Sequence, residues 1–121
     1  MKRIYTFGHD QVERNITVGD IISNKNSNIK MTQVTAANQE EAEIIASENI
    51  DMIITGSDWY QDVRKGAPNT FITAALFAGR FITNEEILRG AFDVMMAGAD
   101  SVLTPRSYDV VEMLAKEGMQ V

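Results

Sequence analysis

The chain contains no cysteine, which removes disulfides and thiolate nucleophiles from consideration and fits a reducing compartment. Its single histidine, His9, follows Gly8 in the opening segment, so any Ser/His/Asp triad or histidine-ligated metal would have to use that position. Basic residues are outnumbered, 11 against 17 acidic ones, and appear in no run. The resulting net charge of −6 argues against nucleic acid or an anionic membrane surface as partner, since both require a basic face. No apolar stretch approaches the roughly 18 residues that span a bilayer, and the opening MKRIYTFGHD lacks the apolar core of a secretory signal. These absences lead us to expect one soluble, cytoplasmic domain over residues 1–121, with neither nucleic acid nor membrane among its partners.

What is present is alternation. Thr17 is placed to cap a short helix from Val18, and a polar loop follows, so residues 1–28 read as an irregular N-terminal segment with one helix. Residues 29–121 read as β/α repeats. IKMTQVTA is a strand, and NQEEAEIIASENI is a helix with Asn38 as its cap, Glu41 three residues on, and a stripe of Ala42, Ile45 and Ala46. DMIITG is the next strand. SDWYQDVRKGAPN reads as a loop with one helical turn, ended by Gly66 and Pro68 before the strand TFITAAL. In TNEEILRGAFDVMMAGAD, Thr83 with Glu86 makes a capping box, Ile87, Ala91, Val94 and Met95 recur at helical spacing, and Gly98 suits the C′ position. SVLT is a fourth strand. A last helix starts at Thr104-Pro105 or at Ser107 and ends at Gly118, and MQV reads as the beginning of a fifth strand. Met52, Met95, Met96 and Met113 read as core filling, while Thr32, Thr35 and Thr73 suit strands by β-branching alone.

Strands and helices alternating over short connections give an α/β fold with a parallel sheet. Two architectures compete. A five-stranded doubly wound open sheet fits the length, whereas a TIM-type (β/α)8 barrel takes about 250 residues, of which this chain would be the first half. In either, chemistry sits beyond the carboxyl ends of the strands. The run IDMIITGSD ends there on Ser57 and Asp58, and Asp58 reads as a metal or substrate ligand or as a loop acceptor. Arg106, after the fourth strand, and Arg80, in FAGRFIT, each offer a fork of donors to a carboxylate or phosphate. For Arg106 a salt bridge to Asp109 or Glu112 is an equal account. Trp59 and Tyr60 would either stack on a flat ligand or plug a gap. A receiver domain is excluded, because neither IKMTQVTAAN nor TFITAAL carries the acids it requires.

Four segments, ITVGDIISNKNSNIKMTQVTA, IDMIITGSD, VRKGAPNTFITAAL and ITNEEILRGAFDVMMAGADSV, resemble the ketopantoate hydroxymethyltransferase (3-methyl-2-oxobutanoate hydroxymethyltransferase) family, relatives of the phosphoenolpyruvate mutase and isocitrate lyase barrels. They stand in that family's order over residues 16–121, and RKGAPN and MMAGADSV are the most specific of them. The resemblance implies the first half of a (β/α)8 barrel and a cytoplasmic transferase of pantothenate biosynthesis. Its chemistry would add a one-carbon unit from methylenetetrahydrofolate to a small 2-oxo acid polarised by Mg2+ on two aspartates. Position by position, Ser57 stands where the family has one metal aspartate and Asp58 where it has a substrate serine. Ala75 stands at the second aspartate, and Leu103 and Pro105 at a lysine and a glutamate; the segment between GSDWYQ and DVRKG is also shorter than in the family.

Ser57, Asp58, Arg80 and Arg106 are thus the candidate substrate-binding residues, with Asp58 the candidate for the metal. Two functions are expected: a divergent enzyme of this type, or a non-catalytic scaffold relative that has lost the metal site and acts through self-association. A parallel sheet with open edges is expected to continue as the C-terminal half of a longer barrel or to complete its core as a homo-oligomer.

Overall fold

In the computed structural model, which describes residues 1–121, the opening segment is not irregular but an antiparallel hairpin. β1 (Lys2–Tyr5) pairs with β2 (Gln11–Arg14), Ile4 opposite Val12. The chain reverses at FGHD, where the Thr6 N–H donates to the Asp10 carbonyl at 2.8 Å and His9 adopts a φ of 68°. Each strand has only four residues, and β1 exposes all but one of them, so no apolar alternation announces the hairpin. α1 (Val18–Ser23) begins as expected on a capping box: the Thr17 hydroxyl accepts from the Asp20 N–H at 3.2 Å, and the Asp20 carboxylate accepts from the Thr17 N–H at 2.9 Å.

Four strands, β3 (Gln33–Thr35), β4 (Met52–Gly56), β5 (Phe71–Ala75) and β6 (Ser101–Leu103), form one parallel sheet in chain order, β3-β4-β5-β6. β3 is shorter than IKMTQVTA suggests, because the Thr32 N–H and hydroxyl turn to the Asp51 carboxylate. Residues 119–121 do not form a fifth strand, although the Val102 N–H donates to the Gln120 carbonyl at 2.9 Å on the far side of β6. The order never reverses, and this overturns the doubly wound alternative, which needs a switch point. Right-handed crossovers stepping always the same way place every helix on one face. Those helices are α2 (Gln39–Ser47), α3 (Tyr60–Gly66), α4 (Asn84–Met96) and α5 (Tyr108–Lys116). The sheet stays open, and a closed barrel is not formed.

The core lies between that helix layer and one row of strand residues. Ile53, Ile72, Ala74 and Val102 face Ala42, Val63, Ile87, Ala91, Val94, Met95, Val110 and Leu114. α4 buries the four residues its spacing selects and ends at Ala97, with Gly98 at φ +112°. In α2 the stripe is narrower than expected, since Ala46 is exposed beside buried Ala42 and Ile45. Met96 is likewise exposed and fills no core. RKG is not loop but the end of α3, two turns long, and α5 starts after Ser107 rather than at Pro105. Gln33, Ile54, Thr73, Ser101 and Val121, with Val111 of α5, line one cavity of about 350 Å³. No helix is long and apolar enough to cross a membrane.

Beneath the amino ends of the strands lies an ion cluster. Asp100, directly before β6, accepts from the Arg14 Nε at 2.9 Å and from the Arg64 Nη2 at 2.9 Å, and its Oδ2 also accepts the Ile72 N–H at 2.9 Å. The three side chains are 4%, 3% and 15% exposed for Asp100, Arg14 and Arg64. Arg14 donates further to the Pro68 and Gly98 carbonyls, and Arg64 to those of Ala67 and Thr70 and to the Tyr60 hydroxyl. Hairpin, α3, β5 and β6 are thereby joined at one carboxylate. Asp100→Ala leaves two buried guanidiniums without their counter-charge and should cost about 3–5 kcal/mol, read as a lower urea midpoint.

Burial raises the Tyr60 phenol above its ordinary value, against the pull of Arg64. The folded chain therefore holds that proton to higher pH than the unfolded chain does. The stability this contributes is complete below about pH 10 and is lost as pH rises beyond it. Tyr60→Phe should flatten the alkaline fall in the denaturation midpoint, at the cost of the hydrogen bond from Arg64.

Candidate functional site

The carboxyl ends of the strands are where an α/β sheet presents chemistry, and here they are roofed by aromatic rings. β4 ends at Gly56, a 3₁₀ turn (Ser57–Trp59) follows, and α3 starts immediately. A Cβ on Gly56 would lie 2.5 Å from the Phe77 ring, so only glycine lets the loop after β5 come this close. Phe77 and Trp59 meet edge to face with centroids 5.8 Å apart. Beneath them a cavity of about 280 Å³ is lined by Thr35, Ile54, Thr55, Gly56, Ala75, Leu103 and Pro105, apolar but for the two threonine hydroxyls. No carboxylate, imidazole or cation lines it. Trp59 therefore plugs the mouth, while Tyr60, 1% exposed, belongs to the core.

Ser57, Asp58 and Arg80 do come together, but around the corner, in a groove of about 420 Å³ between α3 and α4. Asp58 pairs with Arg80, and both side chains are about half exposed, 46% and 60%. The Arg80 guanidinium lies 5.1 Å from the centroid of the Phe81 ring. The Ser57 hydroxyl is buried without a hydrogen-bond partner, as is that of Thr55, which lies in β4 and lines the roofed cavity instead. Arg89 and Asp93 of α4 line the same groove.

Arg106 stands apart from the other three. It donates to the Ile82 carbonyl rather than pairing with Asp109 or Glu112, and Glu112 is taken by Lys116 at 3.2 Å. Its positive charge adds to the effect of the Thr83 N–H and hydroxyl in holding the Glu86 carboxyl below the usual range. That carboxylate is committed to the capping box of α4.

A hard cation asks for several oxygen ligands at one point. Asp58 is the one acid that the strand ends supply at the expected place, and it is spent on Arg80; no group of three acidic or imidazole side chains is arranged to hold a metal. This donor set does not fit Mg2+. The sequence reading misses Phe77, whose role depends on the missing side chain at Gly56. It also misses Arg64 and Asp100, although both lie inside RKGAPN and MMAGADSV, the segments that carry the family resemblance most specifically. The two meet at the amino ends of the strands, opposite any active site, and so speak for scaffold rather than chemistry.

Trp59 is the sole tryptophan, which gives the roof a signal of its own. Gly56→Ala should swing the half-exposed Phe77 ring outward and shift the emission of Trp59, with a stability loss of about 1 kcal/mol because the ring is free to move. Unchanged emission would mean that the two rings do not form the roof. No family model matches the chain, and no curated protein does.

Proposed function

We propose that the chain is a divergent relative of the ketopantoate hydroxymethyltransferases that keeps their β/α scaffold without their magnesium chemistry, and that it acts through self-association rather than one-carbon transfer. The observation that carries this reading is the mouth of the sheet. Gly56, Ala75, Leu103 and Pro105 line it under Trp59 and Phe77, with only the hydroxyls of Thr35 and Thr55 beside them, and none of these supplies a carboxylate or a base. Forming an enolate from a 2-oxo acid needs a base for the carbon-bound proton and positive charge at the oxo oxygen. Asp58 and Arg80 are of the right kinds, but each neutralises the other in a solvated pair. Meanwhile the edge strand β3, exposed along its whole length, is a surface that calls for cover.

One observation favours a second reading, in which the chain binds a small 2-oxo acid as substrate of a transferase that uses methylenetetrahydrofolate. Arg80 and Ser57 line one groove, and a carboxylate there would take the Arg80 fork in place of Asp58. Calorimetric titration with 2-oxoisovalerate, with and without magnesium, separates the two. The scaffold reading expects no heat, and no ketopantoate from Ala75→Asp supplied with methylenetetrahydrofolate, because Leu103 and Pro105 remain. Heat that disappears in Arg80→Ala would establish the second reading. Ketopantoate made by Ala75→Asp would overturn the first.

A further inference from the structure

α4 carries two apolar stripes. The first, Ile87, Ala91, Val94 and Met95, is buried against the sheet. The second, Leu88, Phe92 and Met96, repeats every four residues on the adjoining face; Leu88 is partly buried against the core, while Phe92 and Met96 remain 42% and 45% exposed. Phe7 of the hairpin packs edge-on against Phe92, centroids 5.7 Å apart and planes at 90°, and so extends the stripe. Apolar residues scattered singly on a surface need no explanation, but a continuous stripe does. One position beyond Leu88 and Phe92 stand Arg89 and Asp93, both exposed. Neither makes an ion pair within the chain.

We propose that this stripe is the contact between two copies of the chain: two α4 helices crossing antiparallel near Phe92, with Arg89 of each facing Asp93 of the other. The occupant follows from self-complementarity. A twofold axis perpendicular to both helices reverses their direction and keeps the same flank of each on the same side of the contact. With Phe92 at the crossing, Arg89 lies three residues to one side and the partner's Asp93 one residue to that same side. The offset is about 3 Å along the helix, within reach of a guanidinium. The symmetry forms this pair twice, giving a partner to each of the four charges. A parallel arrangement would instead send the charged flanks to opposite sides of the contact. Three side chains and Phe7 make a small patch, so the association belongs to the weak, reversible class. The proposal rests on the self-association reading above and locates it on the surface.

Sedimentation velocity over a dilution series tests it, with circular dichroism to check that each variant folds. The wild-type chain should dimerise reversibly. Arg89→Asp alone and Asp93→Arg alone should each weaken the dimer about tenfold or more, because like charges then face each other. An equimolar mixture of the two variants should regain wild-type affinity as a heterodimer, since one chain carries both acids and the other both arginines. Failure of the mixture to recover would overturn the α4 contact. A dimer indifferent to the single reversals would overturn it too, placing association at the open sheet edges and leaving the broader reading standing. A wild-type monomer at every concentration would sink both.

Discussion

The carboxylate of Asp100 is the point on which the rest of the molecule depends. A charge so fully withdrawn from water is tolerable only if it is paired and hydrogen-bonded on every side. Two guanidiniums and the Ile72 N–H meet that demand. The arginines impose the same demand in turn, and they satisfy it with carbonyls from two separate turns, Ala67 to Thr70 and Gly98. The N-terminal hairpin would otherwise be a two-stranded ribbon of eight mostly exposed residues, too small to hold itself together. Arg14 pins it across the bottom of the sheet. Asn15 continues the seam, accepting from the Phe71 N–H at 2.9 Å and donating to the Asp51 carbonyl at 2.8 Å.

With one end of the sheet pinned, the other is free to differ. The amino ends of the strands carry the charge and the rigidity, and the carboxyl ends carry short turns, two half-exposed rings and an ion pair in water. That division separates stability from chemistry, as in other sheets whose loops do the work at one end only. Here the chemical end holds apolar side chains and two threonine hydroxyls, without an acid, a base or a cation. The polar groups nearest to it, Ser57, Asp58 and Arg80, belong to the groove between α3 and α4 instead.

Much of the architecture is legible in the residues. α4 can be read almost completely, because its cap, its buried stripe and its terminal glycine all lie within sixteen consecutive residues and obey one period. The strands β4 and β5 are legible as apolar runs bounded by turns. The hairpin is not, since its strands are short and polar and owe their place to Arg14. Nor is the ion cluster, whose members stand 86 and 36 residues apart, beyond any local spacing rule. At the candidate site the positions of Ser57 and Asp58 at a strand end can be foreseen. That they turn away from the mouth cannot, because this follows from the 3₁₀ turn and from Phe77 occupying the space that Gly56 leaves.

The uninterrupted strand order bears on how the chain is made as well as on how it stands. Partners in the sheet lie 19 residues apart in the first two pairings, Gln33 with Met52 and Met52 with Phe71, and 28 apart in the third, Thr73 with Ser101. Every loop to be closed is therefore of moderate length, and none waits for a distant segment. Each new strand finds its neighbour already in place as it leaves the ribosome, so the sheet is able to grow in the order of synthesis. The exception is the pinning carboxylate, which joins the hairpin only after a hundred residues have been made. Tight consolidation would then be the last event in folding, following a loosely ordered sheet that assembles strand by strand.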